Sequence, residues 1–118
     1  MKLKPFILGA FALSVAAMYF FAPRGDVSAE KAQSLVAEGA VLVDVRTPEE
    51  FVAGHIEGAR NIPVASLNGR LADLGPPAST TVVVYCQTGN RSTQAARTLR
   101  DAGFTSVHNL GPMSAWQP

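Results

Sequence analysis

Two runs, Ala40 to Val45 ("AVLVDV") and Thr81 to Cys86 ("TVVVYC"), restrict the possible folds more than any other feature of the chain. Each is rich in β-branched residues, and neither alternates apolar with polar. A run of that kind is a strand covered on both faces. Sheets covered on both faces are mostly parallel, and parallel neighbours need helical crossovers between them. The intervening sequence supplies the helices. Ser28 is placed to cap a helix over 29–39, where Ala32, Leu35 and Val36 share a face and Gly39 ends it. Thr47, Pro48, Glu49 and Glu50 open a short helix over 47–55: a cap, a first-turn proline and two acids at the positive end of the dipole. Residues 64–75 carry Leu67, Leu71 and Leu74 on one stripe and predict a helix broken at Gly69. Residues 91–103 predict another, with Ala95, Leu99 and Ala102 inward and Gly103 closing it. Lesser strands fall at 59–63 and 106–110, and "MSAW" begins a final turn. The expected class is α/β, with helices on both faces of a mostly parallel sheet.

The 118 residues suffice for one domain. The formal charge of +1 hides an uneven distribution. Lys2, Lys4 and Arg24 lie in the first 24 residues and leave seven cations against nine anions in the remainder. Such a body has no basic stripe, so nucleic acid is excluded as a partner. One cysteine cannot form an internal disulfide, a CxxC pair or a zinc cluster, so no metal site is expected.

Residues 1–24 read as a signal peptide or an N-terminal transmembrane anchor, with the domain proper at 25–118. The uncharged apolar core, Phe6 to Ala22, is 17 residues long, or roughly 26 Å as a helix. That is short for a bilayer core of about 30 Å and long for the apolar centre of a signal peptide. Lys2 and Lys4 orient the N-terminus to the cytoplasm and send the body across, so an extracytoplasmic, periplasmic location is expected. The small residues before Glu30 offer a cut after Ala29, although it would enter the first helix. A cleaved signal and a membrane anchor through residues 6–22 both remain open.

Cys86 stands at the carboxyl end of the most apolar strand, where ligands of open α/β sheets bind. The chain must then turn into a helix within about five residues, and Gly89 and Asn90 tolerate the dihedrals this needs. A tight turn feeding a helix N-terminus aims backbone N–H groups inward and forms an anion nest. A thiol in such a nest is expected to ionise readily and act as a nucleophile. Thr88, Ser92 and Thr93 add hydroxyls, and Arg91 adds a guanidinium. The competing reading is a small core hydrophobe.

Residues 26–116 resemble the single-domain rhodanese family. The resemblance rests on "LVDVRTPEEF" (42–51), on "FVAGHIEGARNIP" (51–63), which fits F-x3-H-I-x-G-A-x2-I, and on "YCQTGNRS" (85–92). It implies a rhodanese-like α/β fold with a five-stranded, mostly parallel sheet. It also implies a catalytic Cys86 that holds sulfane sulfur as a persulfide, cradled by Gln87, Thr88, Gly89, Asn90, Arg91 and Ser92. The donor would be thiosulfate or a similar small molecule, and the acceptor cyanide or a thiol. No cofactor is implied, and a monomer is expected. Related phosphatase-type loops run C-x5-R. The C-x4-R spacing from Cys86 to Arg91 is one residue shorter and should crowd a phosphate.

Asp44 and Arg46 end the first strand on the same edge as Cys86. Asp44 is expected to orient the loop or pair with a cation. Arg46 is expected to pair with Glu50 or reach the site. His55 braces its turn rather than acting as a base, and Trp116 is a core or rim aromatic. Pro112 stands where the family has a second glycine before its last helix, which puts donor specificity in doubt. Two other readings remain: a sulfur-carrier or partner-docking module with little turnover, and a thiol redox sensor.

Overall fold

A computed structural model describes residues 25–117. Four strands, β1 (Val41–Asp44), β2 (Arg60–Asn61), β3 (Thr81–Cys86) and β4 (Ser106–Pro112), form one sheet in the order β2-β1-β3-β4. All three pairings are parallel. The helices are α1 (Ala29–Ala37), α2 (Pro48–Ala53) and α3 (Asn90–Asp101). Three short 3₁₀ segments lie at Val64–Gly69, Leu71–Asp73 and Met113–Trp116. The broken helix expected over 64–75 is thus two 3₁₀ turns that divide after Gly69, with Leu67 and Leu74 buried.

The double burial read from the apolar runs is what the sheet shows. Val82, Val84 and Cys86 face one core with Ala95, Ala96 and Leu99 of α3. Val83 and Tyr85 face the other, with Ala32 of α1, Leu42 and Leu110. Alternate side chains of one strand therefore serve two helical layers. Ser28 caps α1 by accepting from Lys31 N at 3.1 Å. Thr47 and Glu50 exchange bonds in a capping box at the start of α2.

Among the described residues the sheet has four strands, not the five that the resemblance implied. The segment ahead of α1 does reach the free edge of β4. Asp26 N donates to Asn109 O at 2.6 Å, and Asn109 N donates to the Asp26 carboxylate at 2.7 Å. A side chain here takes the place of the carbonyl that a strand would supply. The contact ends after one residue, and no ladder forms. Arg100 covers the same carboxylate at 2.9 Å.

From β1 the chain goes first to β2 on one side and then to β3 on the other. The sheet therefore changes winding direction between β1 and β3, and their carboxyl ends flank the crevice where such sheets bind ligands. The proposed signal or anchor lies outside the described residues. Among those described, no helix is long and apolar enough to cross a membrane.

Candidate active site

Cys86 ends β3 with no solvent exposure. The chain leaves the strand through Gln87 and Thr88 and enters α3 at Gly89, which sits at φ 108°. A residue with a Cβ is strained there, so glycine suits this turn. Gly89 has no side chain with which to cap the helix. The sulfur does that work: Sγ accepts from Ser92 N at 3.3 Å and from Gly89 N at 3.0 Å. Ser92 is the third residue of α3, and its N–H is one of the helix's unpaired donors. The Ser92 hydroxyl lies 3.4 Å from Sγ and donates to Gly89 O at 3.1 Å. Thr93 Oγ1 donates to the same carbonyl at 2.8 Å. These bonds fix the loop around one sulfur atom at the positive end of a 12-residue helix.

Of the six loop residues singled out from sequence, Gly89 and Ser92 bond Sγ. Gln87, Thr88 and Asn90 are exposed at the mouth. Gln87 Oε1 accepts from Arg46 Nη1 at 3.2 Å. Arg91 turns to α2, where its two terminal nitrogens grip both oxygens of Glu50 at 2.6 and 3.0 Å.

Asp44 and Arg46 form a buried pair. Nη2 lies 2.7 Å from Oδ2, Nε bonds both carboxylate oxygens, and the Arg46 N–H donates to Oδ1 at 2.9 Å. Asp44 raises the guanidinium further above its ordinary range, chiefly through these hydrogen bonds. Arg46 also donates to Gly54 O at 2.7 Å and lies 5.9 Å from the centre of the Tyr85 ring. It therefore joins β1, the end of α2 and the cysteine loop. The expected cation partner for Asp44 is present. The alternative pairing of Arg46 with Glu50 does not form, because Glu50 is taken by Arg91. His55 stacks on Phe51 with ring centroids 3.7 Å apart and bonds Phe51 O at 2.8 Å, which braces the turn.

Three contributors escaped the sequence reading. Glu50 stands in the sequence as a helix-start acid and a candidate partner for Arg46; its bond to Arg91 is not visible there, although the Thr47-x-x-Glu50 spacing of a capping box is. Tyr85 accepts from Ile56 N at 3.1 Å through a hydroxyl whose pKa is pushed well up by burial. Asn109, buried in β4, donates to Thr93 Oγ1 at 3.1 Å. A recess of about 420 Å³ between Leu35, Val41, Leu74 and Thr81 opens at the other end of the strands and is lined by no thiol.

The Glu50–Arg91 clamp predicts an acid-sensitive increment of stability. Arg91, with help from Thr47, lowers the Glu50 carboxyl from 4.5 to about 2. A lowered folded-state pKa stabilises the fold above the unfolded value and loses that contribution as pH falls through the folded one. The increment is thus complete above pH 4.5 and gone below about pH 2. Both side chains are about a third exposed (34% and 32%), so solvent screening limits it to about 1 kcal/mol. Urea midpoints measured against pH should fall more steeply between these limits for the wild type than for Glu50→Gln. Parallel curves would show that the clamp contributes nothing.

A sequence profile of the Rhodanese-like domain matches residues 28–118. The uncharacterized protein YqhL of Bacillus subtilis (strain 168) is 46% identical over 78 residues, covering 65% of this chain and 60% of that protein. Thiosulfate sulfurtransferase GlpE of Ectopseudomonas mendocina (strain ymp) is 39% identical over 94 residues, covering 77% of this chain and 83% of that protein. The human single-domain sulfurtransferase TSTD1 superposes with a TM-score of 0.65 at 35% identity, covering 80% of this chain and 95% of that one. The chain spans less than two thirds of the first relative and most of the other two. With the profile running from the cap of α1 through the cysteine loop to the last residue, this chain belongs to the rhodanese-like domain family.

Proposed function

We propose that this protein is an extracytoplasmic sulfurtransferase that moves sulfane sulfur from thiosulfate or a similar donor to a thiophilic acceptor through a persulfide on Cys86. The carrying observation is the position of Sγ, held by the Gly89 and Ser92 N–H groups at the mouth of α3. Relatives named thiosulfate sulfurtransferase support the choice of reaction. The extracytoplasmic part of the proposal comes from the charge and apolarity of residues 1–24.

The Cys86 thiolate attacks the outer sulfur of thiosulfate. The new bond joins Sγ to that sulfur, the old S–S bond breaks, and sulfite leaves with its electron pair. The product is a persulfide with a negative outer sulfur. Loop N–H groups between Gln87 and Ser92 would then surround that atom, as preorganised donors that need no rearrangement. Cyanide, or a thiolate in the cell, takes the outer sulfur and returns the thiolate of Cys86. The chain has no second cysteine to resolve the persulfide, so the acceptor comes from outside.

The test is the intact mass after incubation with thiosulfate, followed by cyanide. We expect a gain of one sulfur atom, then its loss with release of thiocyanate. An unchanged mass and no thiocyanate would remove the transferase reading and favour a docking module.

A further inference from the structure

Both arginines joined to the Cys86 loop are already occupied. Arg46 lies on Asp44, and Arg91 lies on Glu50. Two cations meet two carboxylates, so these four residues bring no net charge to the mouth. Thiosulfate is a dianion. A site made to draw in a dianion leaves a guanidinium fork open for paired contact. Here Glu50 fills the fork of Arg91 with both oxygens.

Capping alone does not explain the charge on Glu50. Its Oε1 accepts from Thr47 N and Thr47 Oγ1, each at 3.1 Å. A neutral glutamine at that position caps a helix in the same way. The negative charge suits the positive end of α2 but is not needed for the cap's hydrogen bonds, and it is directed at Arg91. The clamp also crosses from α2 to the first turn of α3, so it sits beside the path to the sulfur rather than elsewhere on the surface.

We propose that Glu50 sets the charge preference of the site, cancelling Arg91 so that donors of lower negative charge are used at the expense of dianionic thiosulfate. The inference rests on the sulfurtransferase reading above. Glu50 acts through Arg91 and is a positioning residue, since it does not touch Cys86.

Two donors separate charge from chemistry. Thiosulfate and the methanethiosulfonate anion present the same outer sulfur, but a methyl group in the second replaces one charged oxygen. In both cases Sγ bonds the outer sulfur and the donor's S–S bond breaks. Sulfite leaves from the first and methanesulfinate from the second, and the persulfide is the same. The donor kcat/KM, measured with cyanide as acceptor, reports this half-reaction. Glu50→Gln keeps the cap and removes the charge. The ratio of kcat/KM for thiosulfate to that for methanethiosulfonate should rise about tenfold at low ionic strength, through KM rather than kcat. The rise should shrink as salt is added. Arg91→Gln leaves Glu50 uncovered and should move the same ratio about tenfold the other way. A purely structural clamp would instead lower both donors equally in both variants, and that result would overturn the proposal. If both donors are consumed and neither variant moves the ratio, the charge proposal falls and the transferase reading stands. If the wild type consumes neither donor, both fall together.

Discussion

Cys86→Ser is expected to abolish thiocyanate formation from thiosulfate and cyanide, by at least about four orders of magnitude. The serine oxygen is a poor nucleophile toward sulfane sulfur and cannot form a persulfide. No other cysteine is present to supply a background rate. The fold should survive the change. A hydroxyl at the same place can still accept from Gly89 N and Ser92 N, so the loop keeps its centre. The cost, a hydroxyl in place of a thiol at the end of a buried strand, should stay near 1 kcal/mol. Thermal melting alongside the assay separates lost chemistry from lost structure. Turnover within tenfold of the wild type would place the reaction somewhere other than this loop.

Asp44→Ala should be the most destabilising single change at this edge of the sheet. Asp44 is fully buried, and Arg46 is only 3% exposed. Removing the carboxylate deletes three side-chain bonds and one backbone bond. It leaves a guanidinium out of water with Gly54 O and Gln87 Oε1 as its remaining partners. Breaking a buried pair in this way costs about 3–5 kcal/mol. For a domain of this size that lowers the melting temperature by roughly 15–25 °C. Asp44→Asn keeps an acceptor for the Arg46 N–H and should fall between the two. Urea unfolding of the three proteins is the direct measurement. An alanine variant within 1 kcal/mol of the wild type would mean that water enters and solvates Arg46, and that the pair is not what joins β1 to the loop.

The strand β3 was legible because an unbroken β-branched run can hardly be anything but a strand covered twice. An interior place in the sheet followed from the same property; that β1 and β4 are its neighbours did not. The thiol at its end was legible because Gly89 must turn the chain and α3 must begin at once. Other features depended on contacts distant in sequence. Arg46 and Glu50 are four residues apart and looked like partners. Thr47 and Pro48 interrupt the backbone between them, so Arg46 folds back on Asp44 while Glu50 faces α3. The leucine stripe of 64–75 correctly marked a buried face, but spacing alone did not distinguish 3₁₀ turns from an α-helix. Nothing in "SVHNLGP" announced the extra residue that shifts β4 against β3 after Val84. Nor did it show that Asn109 would use both backbone and side chain to meet Asp26, Thr93 and Gly111. The absence of a fifth strand among the described residues has the same origin: whether an edge segment continues a ladder or stops at one carboxylate is decided by its neighbour.

In the transfer cycle proposed above, the complete burial of Cys86 makes the two halves sterically unequal. With no surface of its own exposed, an unloaded thiol admits only a slender reagent past the loop, whose exposed side chains are Gln87, Thr88 and Asn90. Once loaded, the exchangeable atom stands one bond, about 2.05 Å, farther along. The incoming carrier must thread the opening, whereas the recipient meets cargo already part of the way out. On that cycle, bulky oxidants and alkylating agents should be held off during the empty phase, and a recipient should be able to exceed the size of the molecule that filled the site.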